Sequence, residues 1–188
     1  MQGLVARMGA GAVLTILLLA GNREISAKDA ASRESRSEVT SYCQQTGGAV
    51  DTLSPAYNTN GGQPLILAGK QQFCVYSATD GSKIFLLLST LSATQPSLAA
   101  LAYYAEVQPT GGEGNPASAY CSQLGGSDLF GGVNAAGGGW VGKNGVDDVL
   151  EACMFPDMSS IDSWGLYYHS AGIIRGIDLS TVLKYQPQ

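Results

Sequence analysis

The sequence predicts an α+β fold made of two similar disulfide-stapled units, each a short helix packed on a small antiparallel sheet. Three observations predict it: a cysteine-centred frame that occurs twice, an even cysteine count behind an export-type leader, and short apolar runs bounded by turn residues. The frame is Tyr42-Cys43-Gln44-Gln45-Thr46-Gly47-Gly48, and it returns as Tyr120-Cys121-Ser122-Gln123-Leu124-Gly125-Gly126. A second cysteine follows 31 and 32 residues later, in Phe73-Cys74-Val75-Tyr76 and Ala152-Cys153-Met154-Phe155. Four cysteines allow three pairings, and spacing alone does not choose among them. The repeat does. If the units fold alike, the pairs are Cys43–Cys74 and Cys121–Cys153, each closing a loop of about 30 residues worth roughly 3–4 kcal/mol.

Residues 1–27 read as an export signal. Arg7 gives the positive start, and Gly9 to Ala20 is an apolar stretch too short to span a bilayer. Ala27 is a small residue before a cut, with Ala20 as the alternative. The run Leu18-Leu19-Ala20-Gly21 is like the start of a lipoprotein box, but Asn22 stands where the lipidated cysteine would be. The expectation is a periplasmic or secreted protein without a lipid anchor or a transmembrane span in its mature part. Export also favours disulfides over free thiols.

The first unit is expected over 28–107. Ser35 or Ser37 would cap a helix that Gly47-Gly48 ends. Leu65-Ile66-Leu67 and Phe73 to Tyr76 would form a hairpin through Gly69-Lys70, with Ile84 to Leu88 as a third strand after Asp80-Gly81. Gln95-Pro96 would open a helix through Tyr104. A Pro/Gly-rich linker, 108–114, leads to the second unit, 115–188. There Asn115-Pro116 caps a helix that carries Cys121 and stops at Gly125-Gly126. Trp140-Val141, the Asn144-Gly145 turn and Ala152 to Phe155 echo the hairpin. A last helix, opened by Ser159 or Ser160, would run from Ile161 to about Ser170, its apolar stripe Ile161, Trp164, Tyr168 and Ala171, and stop at Gly172.

The string Asn115-Pro116-Ala117-Ser118-Ala119-Tyr120-Cys121, closed by Gly125-Gly126, is followed by Cys153-Met154-Phe155-Pro156-Asp157 and then Trp164. Together they resemble the hemolysin-type domain family of unknown function found in bacterial envelope proteins. The likeness covers about fifty residues of the second unit. The first unit keeps Tyr42, Cys43, Gly47, Gly48 and Cys74 without the Asn-Pro start, as a degenerate copy in a tandem pair. The resemblance implies an envelope protein and supplies no catalytic residues.

Composition narrows the chemistry. Fifteen carboxylates against ten basic side chains give a net charge of −5, which speaks against nucleic acid as a partner. The single histidine leaves no His-rich metal cage, and neither metal nor cofactor is expected. Gly137 to Asn144 imitates a phosphate loop until Asn144 replaces its Ser or Thr, and reads better as a glycine-rich entry to a hairpin. Asp147, Asp148 and Glu151 lack the spacing of a calcium loop. The catalytic candidates are His169, Asp162 and Arg175. They would serve a small hydrolase, yet Ser159, Ser160 and Ser170 carry no nucleophile elbow. A thiol enzyme would need Cys74 or Cys153 free. The aromatics Tyr103, Tyr104, Tyr167, Tyr168, Trp140 and Trp164 would form a platform or simply fill the core. The expected function is therefore a non-catalytic binding or envelope-associated module for an extracytoplasmic protein, peptide or glycan. The alternatives are the hydrolase using His169 and Asp162, a peptidase inhibitor, and a hemolysin-like toxin. The toxin is disfavoured, because the mature part has no long apolar segment and no basic amphipathic helix.

Overall fold

The computed structural model describes residues 13–61, 63–128 and 136–188, and the chain divides into two units, 1–38 and 39–188. Arg7 and the start of the export segment lie outside the described residues. The first unit is helical wherever it is described, as part of α1 (Val13–Gln45), and Lys28 to Glu38 are all exposed. Ser35 and Ser37 are thus interior helix positions and not caps. Nothing between Lys28 and Glu38 interrupts a helix, since the run holds neither Gly nor Pro. Among the described residues, no helix is long and apolar enough to cross a membrane.

In the second unit, α1 ends at Gly47-Gly48 and α4 (Pro116–Gln123) at Gly125-Gly126, as the repeat predicts. Asn115 caps α4, its side chain accepting from the N–H groups of Ala117 and Ser118 at 3.0 and 3.4 Å. The N–H of Gly48 donates to the Cys43 carbonyl at 2.8 Å, and that of Gly126 to the Cys121 carbonyl at 3.0 Å. Disulfides join Cys43 to Cys74 and Cys121 to Cys153, with Cα separations of 5.8 and 5.5 Å. A Cβ on Gly48 would collide with Sγ of Cys74 and stand 2.9 Å from that of Cys43. One on Gly126 would do the same to Cys153, again 2.9 Å from the Cys121 sulfur. The second glycine of each pair is there because the sulfur bridge needs its space.

The strands are β1 (Ala49–Tyr57), β2 (Leu65–Ile66), β3 (Gln71–Ser77), β4 (Lys83–Leu87), β5 (Gly138–Val141), β6 (Val149–Leu150), β7 (Ala152–Met154) and β8 (Ser160–Asp162). They form one antiparallel sheet in the order β6-β5-β1-β3-β4-β8-β7, with β2 on β1. This corrects the expectation of two separate small sheets. Ser54 lies opposite Val141 and Tyr57 opposite Gly138 across β1–β5, while Leu86 meets Ile161 across β4–β8. Moreover, β6 and β7 stand at opposite ends of the order although only Glu151 separates them in the chain. The sheet therefore curls into a near-barrel. The seams β1–β5 and β4–β8 pair edges that separate small sheets would leave open.

Several local expectations change with it. Leu65-Ile66 pairs with β1, Ile66 opposite Ala56, rather than with the Phe73 strand. Pro55 marks the place where β1 leaves β3 and takes β2, a position that asks for no backbone donor. Trp140 pairs with Leu150 of β6, whereas Ala152 to Met154 pair with β8. Consequently α5 (Ser163–Ser170) begins after a strand, and its cap is Asp162 instead of Ser159 or Ser160. The predicted Gln95-Pro96 helix is α3 (Leu98–Ala105), capped by Ser97, with the short α2 (Leu88–Ser92) before it.

Strand alternation sorts two cores. Leu53, Phe73, Phe85, Leu87, Trp140, Leu150 and Ala152 fill the inside of the near-barrel, where Phe73 meets Trp140 edge to face at 5.5 Å. The opposite face presents Cys74, Tyr76, Ile84, Leu86, Cys153 and Ile161 to Tyr103 of α3, Tyr120 of α4 and Leu166 of α5. Each large apolar side chain so buried contributes about 1.5–3 kcal/mol.

Candidate functional site

The alternation that turns Phe85 and Leu87 inward turns Lys83 the same way, at the start of β4. Register places Asp162 opposite Ala152, so its side chain shares the inner face at the same end of the sheet. The result is a polar mouth over an apolar floor. Its main cleft, about 460 Å³, is lined by Lys83, Phe85, Asp148, Leu150, Glu151, Asp162, Trp164, Tyr168 and Arg175, with Gly81 and Val149. A smaller one of about 170 Å³ shares Phe85 and Asp148 and adds Asp51, Leu53, Gly142, Lys143 and Asn144. Lys83 and Asp148 form an ion pair at 3.4 Å, each side chain about two-fifths exposed, and contribute little to stability.

Asp162 is 5% exposed. One carboxyl oxygen accepts from the N–H groups of Trp164 at 3.0 Å and Gly165 at 3.1 Å, capping α5. Burial pushes its pKa up to about 7; the two N–H bonds and Arg175 oppose the rise, and Glu151 adds to it. Glu151 is raised as well, chiefly by burial, although hydrogen bonds from the Asn115 and Trp164 side chains counter this. The Asn115 amide donates to Glu151 at 2.6 Å while its oxygen caps α4, so one residue fixes both a helix and a wall of the cleft.

Arg175 reaches the mouth because Gly176 lets the chain press against the sheet. At Gly176, φ is +65° and a Cβ would strike the Tyr76 carbonyl and come within 2.9 Å of the Ile84 nitrogen. The Arg175 Nε donates to the Lys83 carbonyl at 3.3 Å, and its guanidinium lies 5.1 Å over the Tyr168 ring. Tyr168 in turn stacks with Trp164, centroids 5.8 Å apart.

Of the predicted site residues, Asp162 and Arg175 therefore line one cleft. His169 does not line it. It stacks on Tyr103 with centroids 3.7 Å apart, and its Nε2 stands 3.4 Å from a Glu106 oxygen in the last turn of α5. Its Nδ1 is buried and has no hydrogen-bond partner among the described residues. Because α5 starts at Ser163, Asp162 is a cap and not a helix-face neighbour of His169. The serines are engaged elsewhere or buried: the Ser159 hydroxyl donates to Asp157 at 2.6 Å, and that of Ser170 to the Tyr167 carbonyl at 2.7 Å. Ser160 Oγ is buried and has no hydrogen-bond partner among the described residues. All four cysteines are in disulfides, so the thiol-enzyme reading has no thiol.

Tyr103 and Trp140 are core, while Trp164, Tyr167, Tyr168 and Tyr104 are partly exposed. The predicted stripe on α5 is thus turned: Ile161 is buried on β8, Leu166 is among the buried residues of α5, and Trp164 and Tyr168 face the cleft. Glycines 138 and 139 belong to β5 and pair with Tyr57 and Ala56, so the stretch read as a loop entering the hairpin is already strand. The Asp147 side chain lies outside the described residues. Among the described residues no group of three or more His, Cys, Asp or Glu could hold a metal ion. Sequence reasoning missed Lys83 and Phe85. The alternation Lys83-Ile84-Phe85-Leu86-Leu87 carried the signal, but only closure of the sheet shows which face is inner.

No family model, curated protein or solved structure matches the chain. The hemolysin-type resemblance rests on the residues quoted for it.

Proposed function

We propose that this is an exported, non-catalytic binding module, built from a duplicated stapled motif, that takes a small polar ligand at the mouth of its near-barrel. One observation carries the reading: Asp162, Glu151, Lys83 and Arg175 converge with the half-buried rings of Trp164 and Tyr168 on one cleft. Small-molecule sites combine an apolar and aromatic lining with a few convergent polar groups, and barrel mouths are a common place for them. Two disulfides favour an oxidising compartment and so support export. The hydrolase reading is weaker, since its only histidine lines a different part of the molecule from Asp162 and Arg175.

The test is a screen of defined sugars, short peptides and organic acids by nuclear magnetic resonance, followed by variants. Any true ligand should lose about tenfold or more in affinity with Arg175→Ala, an effect of about 1.4 kcal/mol, and little with His169→Ala. The opposite pattern would move the site to the His169 side. Turnover of a bound compound by wild-type protein would replace the binding reading with the enzymatic one.

A further inference from the structure

We infer that the ligand of this cleft is a neutral carbohydrate, packed against Trp164 and hydrogen-bonded through its hydroxyls to Asp162, Glu151 and Arg175. The inference rests on the binding reading above and names its substrate class.

Charge balance is the first ground. The lining holds two cations, Lys83 and Arg175, against three carboxylates, Asp148, Glu151 and Asp162. Lys83 is paired with Asp148, and Arg175 faces the field of Asp162. A phosphate or polyanion entering here would meet the carboxylates. A polycationic peptide would meet the guanidinium and the ammonium. Neither sign is selected, which suits an uncharged ligand.

Hydrogen-bonding capacity is the second ground. A sugar hydroxyl both donates and accepts, and so needs neighbours of both kinds. Arg175 donates only, while Glu151 and Asp162 accept when ionised. Burial raises the Asp162 pKa, and in its protonated form the carboxyl also donates. The third ground is the wall. Trp164 is held by ring contacts with Tyr167 and Tyr168, centroids 6.0 and 5.8 Å away, so less of its side-chain freedom is lost when a ligand arrives. The volume of about 460 Å³ lies within the range of small-molecule sites and suits a short saccharide rather than a polymer strand buried along its length.

The experiment titrates the full, oxidised chain with three probe sets: neutral cello-, malto- and chito-oligosaccharides, oligomeric uronates, and Lys- or Arg-rich peptides. Binding is followed by tryptophan emission and calorimetry. A neutral saccharide should bind and perturb Trp164, and its affinity should change less than about twofold between low and high salt. Trp164→Ala and Asp162→Asn should each weaken it about tenfold or more. Because asparagine also caps helices well, Asp162→Asn keeps α5 and separates lost binding from lost folding. Binding of uronates or peptides alone, or a steep salt dependence, would overturn the carbohydrate inference and leave the cleft as a binding site. No response to any probe set, with no hit in the wider screen, would sink both.

Discussion

Asp162 does two things at once: it caps α5 with one oxygen and lines the cleft while almost fully buried. A carboxyl whose folded pKa is raised to about 7 keeps its proton in the native state over a range where the unfolded chain has lost it. Unfolding then releases a proton, so stability falls as pH rises from about 4 to about 7, by something of the order of 4 kcal/mol for this group. Glu151, raised by its own burial, tilts stability in the same direction. Asp162→Asn should therefore flatten, without abolishing, the decline between those pH values in denaturant melts; an unchanged slope would mean that the carboxyl is not desolvated. At this scale the sequence was partly legible. The cysteine partners and the Gly-Gly pairs follow from the repeated frame, and Asp162 stands out as a partner for His169 two helical turns away, with Arg175 beyond the helix end. Lys83 does not, because one lysine before an apolar run looks like any strand end. His169 was misplaced toward Asp162 because α5 was started too early.

The helix-and-bridge element occurs twice with the same parts. Helix, Gly-Gly stop and disulfide to a strand recur from Cys43 to Cys74 and from Cys121 to Cys153, over separations of 31 and 32 residues. The pairing next to each bridge matches too: Ala49 opposes Val75 and Ser127 opposes Met154. Loops of equal length constrain the unfolded chain equally, so replacing either cysteine pair by alanine should cost a similar roughly 3–4 kcal/mol in equilibrium unfolding. A cost below about 1 kcal/mol for one pair alone would show that the two staples are not equivalent. Helix ends were readable because Asn-Pro and Gly-Gly act locally. Strand partners were not: β2, β7 and β8 choose neighbours by closure of the whole sheet, which no dipeptide records. Only Asp80-Gly81, a tight turn between β3 and β4, announced its pairing correctly.

At the scale of the whole unit 39–188, the segments that carry the two cysteine frames share one sheet. Strands β1, β3 and β4 of the first segment occupy the middle of the sheet, and strands of the second lie on both sides of them, meeting at β1–β5 and β4–β8. The cleft exists only because of this arrangement, since β4 supplies Lys83 and Phe85 while the later chain supplies Glu151, Asp162, Trp164, Tyr168 and Arg175. The sequence-based boundary at 108–114 fell between copies and therefore divided residues that line one site. Native-state amide hydrogen exchange at the two seams decides whether the sheet curls into one near-barrel. The seam amides of β5 and β8 should be protected to the same global opening free energy as those of central β3. Fast exchange at both seams while β3 stays protected would mean that the repeats stand apart and that the mouth does not form.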